Sequence, residues 1–479
     1  MIGLEPQTET KDGVLSSLSL LNAKNLACWS GGVWSGRAPA EGASGVAIDT
    51  RALQPGELFV ALPGSRSDGH SFVGEAFARG AVAALVQAGR LPDAPQSGPL
   101  LVVNDPEAAL RRLAAGLRAV HPATFVGITG SVGKTTVKEL LASMLETEGP
   151  TARTPGNWNN AIGLPLSLLR LHRLHRFGVF ELGMNRPGEI GPLSDLLCPH
   201  HAVMTPIGPA HLEAFGSVQG IAEEKANLLS RVPADGMAVL WRDDRWFDLL
   251  RDACACNVRT VSLGEPGADW IGQAVGREGL RILEVERGEE VELPCPVPGA
   301  FFQVDLLLAA AMARGLGVDW AQIARAVETY TPVGPRWQTE TQAGILFVND
   351  AYNANPTSMA AALRAFGEMP VRGRRWLVLG TMRELGEGSH KFHLEIGRKA
   401  AAVPGAYFLA TGTQAEAMAE GARAAGLPED RLVICADAEA AAHRLLQEAS
   451  RGDAVLLKAS RGDALDQVLT IWKQGMSGA

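Results

Sequence analysis

Apolar residues fall along this chain in three successive patterns. In the first third, GVAIDTR, ELFVAL, AALVQA and LLVV are short apolar runs that read as strands, and SFVGEAFARGA reads as a helix. The stretch PEAALRRLAAGLRAVHP carries its apolar residues at helical spacing and stops at Pro122. From Phe125 the pattern becomes strand, glycine turn, helix, repeated. FVGIT, FGVFELG, AVMTPIG and MAVLW are continuous apolar runs, as strands buried on both faces of a parallel sheet require. The pattern breaks near Pro332 to Pro335. RWLVLG, YFLATG, RLVICA and AVLLKAS then follow, separated by alanine-rich helical segments such as DAEAAAHRLLQEAS, which predicts a second doubly wound sheet. The expected fold is α/β in three domains. A small α/β unit covers 1–122, a central P-loop domain with a parallel sheet covers 123–333, and a C-terminal Rossmann-like domain covers 334–479.

Length agrees with this division, since 479 residues exceed one core and roughly three domains of ~150 residues is the default. A hydrophobic content of 46% and a charged content of 20% describe an ordinary globular protein. The net charge of −8 argues against a general nucleic-acid binder, which carries a basic face. Small anionic ligands remain open, because a few lysines and helix N-termini suffice for them. The six cysteines are scattered, and the close pair Cys254-Ala-Cys256 has neither zinc-knuckle nor redox spacing, so free thiols in a reducing compartment are expected. The opening MIGLEPQTETKDG lacks the basic-then-apolar order of a signal peptide. The apolar stretch VDLLLAAAMARGLGV is interrupted by Asp305 and Arg314 and is too short for a membrane span. A cytoplasmic location follows. Two Arg-Gly-Asp triplets, at Arg451 and Arg461, read as turns.

The chemistry begins at GITGSVGKTTVKEL, where a strand leads into Gly130-Ser131-Val132-Gly133-Lys134-Thr135-Thr136 and then a helix. Glycines let backbone N–H groups approach phosphates, the helix N-terminus favours negative charge, and Lys134 reaches the outer phosphates. Thr135 can offer its hydroxyl to magnesium. The strict spacing has a glycine where Ile128 stands. Glu181 and His211 follow the runs FGVFELG and AVMTPIGP, at strand ends where doubly wound sheets bind ligands. Each alone reads as well as a turn residue or a surface histidine. Lys225, on spacing alone, is a solvated helix lysine beside Glu223 and Glu224. His200-His201 lacks a second ligand pair and reads as loop. No Asn-Lys-x-Asp string is present for reading guanine, so ATP is the expected nucleotide.

Further stretches carry a family likeness. They are Asp49-Thr50-Arg51 with Asp68-Gly69-His70, Thr154-Pro155-Gly156-Asn157-Trp158-Asn159-Asn160, Glu181-Leu182-Gly183-Met184-Asn185, and Ile207-Gly208-Pro209-Ala210-His211. Asn349-Asp350-Ala351-Tyr352-Asn353-Ala354-Asn355-Pro356, Leu385-Gly386-Glu387 and Lys458-Ala459-Ser460-Arg461 complete the set. With the phosphate loop, they resemble the Mur ligase family across all three domains. The resemblance implies an ATP-dependent amide ligase of cell-wall precursor synthesis, joining D-alanyl-D-alanine to UDP-N-acetylmuramoyl-tripeptide through an acyl phosphate. It implies two magnesium ions, one at Thr135 and Glu181 and one at Glu181 and His211, with a carbamylated Lys225 reaching the second. Arg336 would meet the γ-phosphate on domain closure, although by spacing alone it reads equally as a boundary arginine paired with an acid. Asp350 and Tyr352 would lie near ribose and adenine, and Asn353 and Asn355 would shape that side. Asn157, Asn159, Asn160 and Asn185 would bind peptide and sugar. Thr50, Arg51, Asp68, His70, Lys458 and Arg461 complete the implied substrate contacts, and a monomer is expected.

This chain departs from the family pattern at four places. Phe301 and Asp305 stand where histidine and asparagine are usual near the adenine, and an ionised Asp305 only accepts hydrogen bonds. Thr381 replaces an acid and Ala459 a glycine. These departures bear on nucleotide affinity. A sister ligase adding a diamino acid would carry Asp-Asn-Pro-Arg in the last domain, and that string is absent. A nucleotide-binding module without catalysis is the other alternative, opposed by Lys134, Glu181, His211 and Arg336.

Overall fold

The computed structural model describes residues 20–64, 67–90 and 98–477. The polar N-terminal stretch discussed above lies outside them. The chain forms three sheets in sequence order. The first contains β1 (Val33–Ser35), β2 (Val46–Ala47), β3 (Leu58–Val60), β4 (Ala83–Gln87) and β5 (Leu100–Val103), ordered β1-β5-β4-β3-β2. All its pairings are parallel except β1 with β5. GVAIDTR yields only the two residues of β2. The helix Ala23–Ser30 and β1 carry no sequence signal of their own, because β1 is three residues long and largely exposed. The long helix Pro106–Val120 starts where Asp105 accepts from the N–H groups of Glu107 and Ala108, with proline in the first turn.

The central sheet runs β14-β13-β12-β11-β10-β9-β6-β8-β7. Its strands are β6 (Thr124–Thr129), β7 (Thr151–Arg153), β8 (Phe177–Glu181), β9 (His201–Met204), β10 (Met237–Trp241), β11 (Asn257–Leu263), β12 (Trp270–Val275), β13 (Gly279–Glu284) and β14 (Glu289–Pro294). From β6 the chain runs out to β7, returns to β8, and crosses to β9 on the other side of β6. The crevice at the carboxyl end of β6 is therefore the switch point where such sheets hold ligands. The pairings from β7 through β12 are parallel, but β13 and β14 run antiparallel as an extension. That extension alternates exposed Arg281 and Glu292 with buried Ile282 and Leu293, so it has no continuous apolar run to reveal it.

The third sheet is ordered β15-β16-β20-β17-β18-β19. It contains β15 (Gln338–Gln342), β16 (Ile345–Asn349), β17 (Arg375–Leu379), β18 (Ala406–Ala410), β19 (Leu432–Ile434) and β20 (Ala454–Lys458), with only β15 antiparallel. The four runs read as strands in the last third are β17 to β20.

Buried apolar surface joins the three units. One core runs from the central sheet through the helix Ala300–Gly315 and Trp337 into the helix Pro356–Glu368 and β17. A second joins Leu110, Leu113 and Leu117 to Phe125 and Phe180. Arg118 locks this second junction, donating from Nε to the Leu197 carbonyl at 2.6 Å while its guanidinium lies 3.9 Å from the Phe125 ring centre. Among the described residues no helix is long and apolar enough to cross a membrane.

Candidate functional site

The loop after β6 owes its glycines to its neighbours. Gly130 has φ of 151° and Gly133 has φ of 87°. A Cβ on Gly130 would stand 1.9 Å from Thr205 Oγ1, and one on Gly133 would stand 2.0 Å from Asp305 Oδ1. Ile128 lies inside β6, ahead of the loop whose glycines meet these approaches. The helix Lys134–Glu146 begins without a side-chain cap. Its first-turn N–H groups and dipole therefore face the crevice, an arrangement suited to phosphate. Lys134 Nζ donates to the Gly130 carbonyl at 2.9 Å. Burial lowers its pKa, Glu181 pulls it back up, and Arg336 lowers it further.

Glu181, at the end of β8, is the hub of the site. Its Oε2 accepts from Thr135 Oγ1 at 2.8 Å and its Oε1 from Asn159 Nδ2 at 2.7 Å. Its own N–H donates to Thr154 Oγ1 at 2.9 Å. Lys138 holds this asparagine loop from behind, donating to the Thr154 carbonyl at 2.7 Å and pairing with Glu139. Sequence reasoning passed over Lys138; its signal is a lysine one turn after Lys134 on a buried helix face. Asn160 Oδ1 accepts from the Gly163 N–H at 2.8 Å, while Asn157 and Asn185 are exposed.

Lys225 is not the solvated lysine that spacing suggests. It lies on the helix Val218–Leu229, 2% exposed, and makes no hydrogen bond or ion pair among the described residues. Burial, then the nearby charge of Lys134, push its pKa well below the usual lysine range. His211 precedes the short helix Leu212–Phe215 with φ of 59° and pairs through Nδ1 with Glu384 of the third unit.

On the third unit, Lys458 ends β20 and donates to Asp350 Oδ2 at 2.6 Å and the Asn353 carbonyl at 3.2 Å. Its ammonium is committed to bracing that loop. Asn355 caps the helix Pro356–Glu368 in a reciprocal box with Ser358. Arg336 does not pair with a boundary acid. Its guanidinium carbon lies 3.6 Å from the Tyr352 ring centre, and Nη1 donates to the Val333 carbonyl at 3.3 Å.

A cleft of about 1350 Å³ opens between the central and third units. The site residues implied for those two units line it except buried Gly130 and Arg461, an exposed residue beyond β20, and the departures Thr381 and Ala459 are buried outside it. Thr50, Arg51, Asp68 and His70 lie outside it, on the first unit. Thr50 is buried, and exposed Arg51 pairs with Asp49. Asp68 binds Arg90 and His70 Nδ1, and His70 Nε2 accepts from the Gln87 N–H at 2.9 Å, so both ring nitrogens are taken.

The cleft also has walls the sequence did not announce. Arg277, Glu278 and Cys295 reach it from the antiparallel extension, and Trp337 from the junction. Asp305 is 5% exposed, its Oδ1 has no partner, and burial raises its pKa well above the carboxylate range. Burial thus favours the neutral form of this acid, which has an O–H to donate, over the ionised form, which only accepts. Among the described residues no group of three or more His, Cys, Asp or Glu could form a metal cage.

Comparison with known proteins agrees with this anatomy. Three family descriptions match in order: Mur ligase family, catalytic domain, over 43–118; Mur ligase middle domain, over 128–313; and Mur ligase, glutamate ligase domain, over 335–461. A UDP-N-acetylmuramoyl-tripeptide–D-alanyl-D-alanine ligase of Bacillus subtilis is 34% identical over 426 residues, covering 89% of this chain and 92% of its own. The protein of that name from Escherichia coli is 36% identical over 430 residues, covering 88% and 92%. A crystal structure of MurF from Acinetobacter baumannii superposes with a TM-score of 0.83 at 29% identity, covering 95% and 98%. That of MurF ligase from Thermotoga maritima in complex with ADP gives 0.75 at 27%, covering 90% and 98%.

Proposed function

This chain belongs to the Mur ligase family, and from that membership we propose that it is the ATP-dependent ligase joining D-alanyl-D-alanine to UDP-N-acetylmuramoyl-tripeptide in peptidoglycan precursor synthesis. The observation that carries the reading is the single cleft in which the phosphate loop, Glu181 and the third unit's Arg336 meet.

The reaction activates a carboxylate, a poor electrophile, by transferring the γ-phosphoryl group of ATP to it. A carboxylate oxygen bonds to phosphorus as the bond to ADP breaks, giving an acyl phosphate. The amine of D-alanyl-D-alanine then attacks the acyl carbon and loses a proton, and phosphate departs. Two anions must meet in the first step, so cations and fixed donors dominate its barrier. Lys134 and the loop N–H groups would hold the transferring phosphoryl group, and Arg336 would approach it from the third unit.

Magnesium fits these residues. It is usually held by one or two carboxylates together with substrate phosphates, not by a protein cage, and Thr135 Oγ1 and Glu181 Oε2 already converge. These two would hold one ion, and Glu181 with His211 a second. Bound magnesium supplies charge neutralisation of the transferring phosphoryl group. A neutral Lys225 amine can bond to carbon dioxide, releasing a proton and gaining a carboxylate, which gives the second position the oxygen donor magnesium prefers. Asp350 and Tyr352 would face the nucleoside. The asparagine loop would bind the peptide, and Thr50, Arg51, Asp68 and His70 the uridine end, where His70 acts by bracing its loop. The reading puts the enzyme in the cytoplasm, where ATP is available. The reading takes the enzyme as a monomer.

Mass spectrometry of the protein incubated with ATP, magnesium, UDP-N-acetylmuramoyl-tripeptide and D-alanyl-D-alanine tests this. The expected product is the tripeptide nucleotide extended by the dipeptide. Extension by a single diamino acid instead would overturn the assignment.

A further inference from the structure

The central and third units meet through a polar contact outside the apolar junction. His211 and Glu384 pair through Nδ1 and Oε2. Both have left-handed backbones, with φ of 59° and 62°, a conformation that non-glycine residues adopt only where surrounding contacts hold it. The main chain repeats the contact, as the Glu213 N–H donates to the Glu384 carbonyl at 3.1 Å. A Cβ on Gly386 would lie 3.3 Å from Glu213 Cα, so the two loops touch directly.

The segment that receives Glu384 is also bonded to the phosphate loop. The N–H groups of Ser131 and Val132 donate to the Pro206 carbonyl at 3.0 and 3.3 Å, and Ser131 Oγ donates to the Gly208 carbonyl at 3.0 Å. Asp244 pins the same segment, accepting from the Ile207 N–H at 2.9 Å. One short stretch, 206–213, thus touches the phosphate loop at one end and the third unit at the other.

We infer that Glu384 is a positioning residue through which the third unit, on docking, completes the magnesium site at His211. The inference rests on the ligase reading for the identity of the metal site, but not for the contact. Glu384 Oε2 stands against the Nδ1 side of the ring, which leaves Nε2 as the nitrogen for a ligand in the cleft that His211 lines. A carboxylate behind a metal-ligating histidine fixes the ring's tautomer and orientation and raises its basicity. Here that carboxylate comes from a different unit than the histidine. Docking of the third unit and assembly of the metal site become one event.

The test compares Glu384→Ala and Glu384→Gln with the unaltered chain. Glu384 has a half-exposed side chain, so folding is not at stake, and equal melting temperatures verify this. Mn2+ binding in the presence of ADP, followed by paramagnetic resonance, requires no turnover. Glu384→Ala should weaken it by roughly 10–100-fold, the usual loss when such a partner is removed. Glu384→Gln retains a side-chain oxygen that can face Nδ1 and should restore most of the affinity. In turnover, the alanine variant should need correspondingly more magnesium while its KM for the UDP-tripeptide stays unchanged. X-ray scattering with ADP and Mn2+ should show it more open than the unaltered chain. Unchanged Mn2+ affinity in Glu384→Ala, equal loss in both variants, or no Mn2+ binding by the unaltered chain overturns the inference. If the unaltered chain binds Mn2+ and ADP but does not respond to the dipeptide, the ligase reading fails, and the Mn2+ comparison still judges Glu384.

Discussion

The hydroxyl of Thr135 donates to Oε2 of Glu181 across 2.8 Å, tying the first turn of the phosphate-loop helix to the end of the adjacent strand β8. The other carboxylate oxygen is held by Asn159, on the loop assigned to the peptide substrate. In the proposed reading, nucleotide, metal and peptide positions therefore share one carboxylate. Glu181→Gln keeps the shape and the bond from Thr135 but removes the charge. It should lower kcat by about 100-fold or more while changing stability by no more than about 1–2 kcal/mol, as steady-state rates and urea unfolding would show. A kcat within threefold of the unaltered enzyme would refute this role.

Lys225 is buried and unpaired beside Lys134, a costly place for an ammonium and a favourable one for a neutral amine. Lys225→Ala should cost roughly 100-fold or more in rate, and added formate or acetate should recover part of it by supplying the missing carboxylate. Loss of activity with no recovery by either anion would contradict carbamylation.

Asp305 predicts a pH dependence of stability. Its folded pKa is raised by burial, so its contribution is present in full below the unfolded value near 3.8 and is lost as pH rises through the folded pKa. Asp305→Asn removes this dependence. Its melting temperature relative to the unaltered protein should improve as pH is raised above about 4. A pH-independent difference would mean that the carboxyl is not neutral in the fold.

Two histidines predict the opposite sign on the acid side. His175 Nδ1 accepts from the His172 N–H at 3.1 Å, and His201 Nδ1 accepts from the Met237 N–H at 3.1 Å. Burial first, then the neighbouring histidine, lowers each pKa to about 4. The unfolded chain then binds these protons more readily, so stability should fall as pH drops from about 6.5 to about 4. Urea midpoints across that range would show the slope, and His201→Asn, which keeps an acceptor, should flatten it. An unchanged slope in that variant would exclude His201 as a cause.

The sequence makes the central strands legible because parallel strands buried on both faces are written as unbroken apolar runs. Strands β13 and β14 alternate polar and apolar residues and stay hidden, although Arg277, Glu278 and Cys295 on that extension line the cleft. The phosphate loop is legible because its glycines answer local steric demands, against Thr205 and Asp305. Lys225 reads wrongly by spacing because its flanking glutamates suggest solvent, whereas the helix face it occupies packs inward beside Ile221 and Ala222. Glu384 and Lys138 are invisible for a different reason: their importance lies in contacts with residues distant in the chain or in a loop whose path only the fold defines.

The ligase account stands or falls on coupling between phosphate release and the second substrate. Initial rates of phosphate release should be measured with ATP, magnesium and UDP-N-acetylmuramoyl-tripeptide, with and without D-alanyl-D-alanine. The account predicts little release until the dipeptide is added, and then release matched mole for mole by amide formation. Phosphate release indifferent to the dipeptide would contradict it.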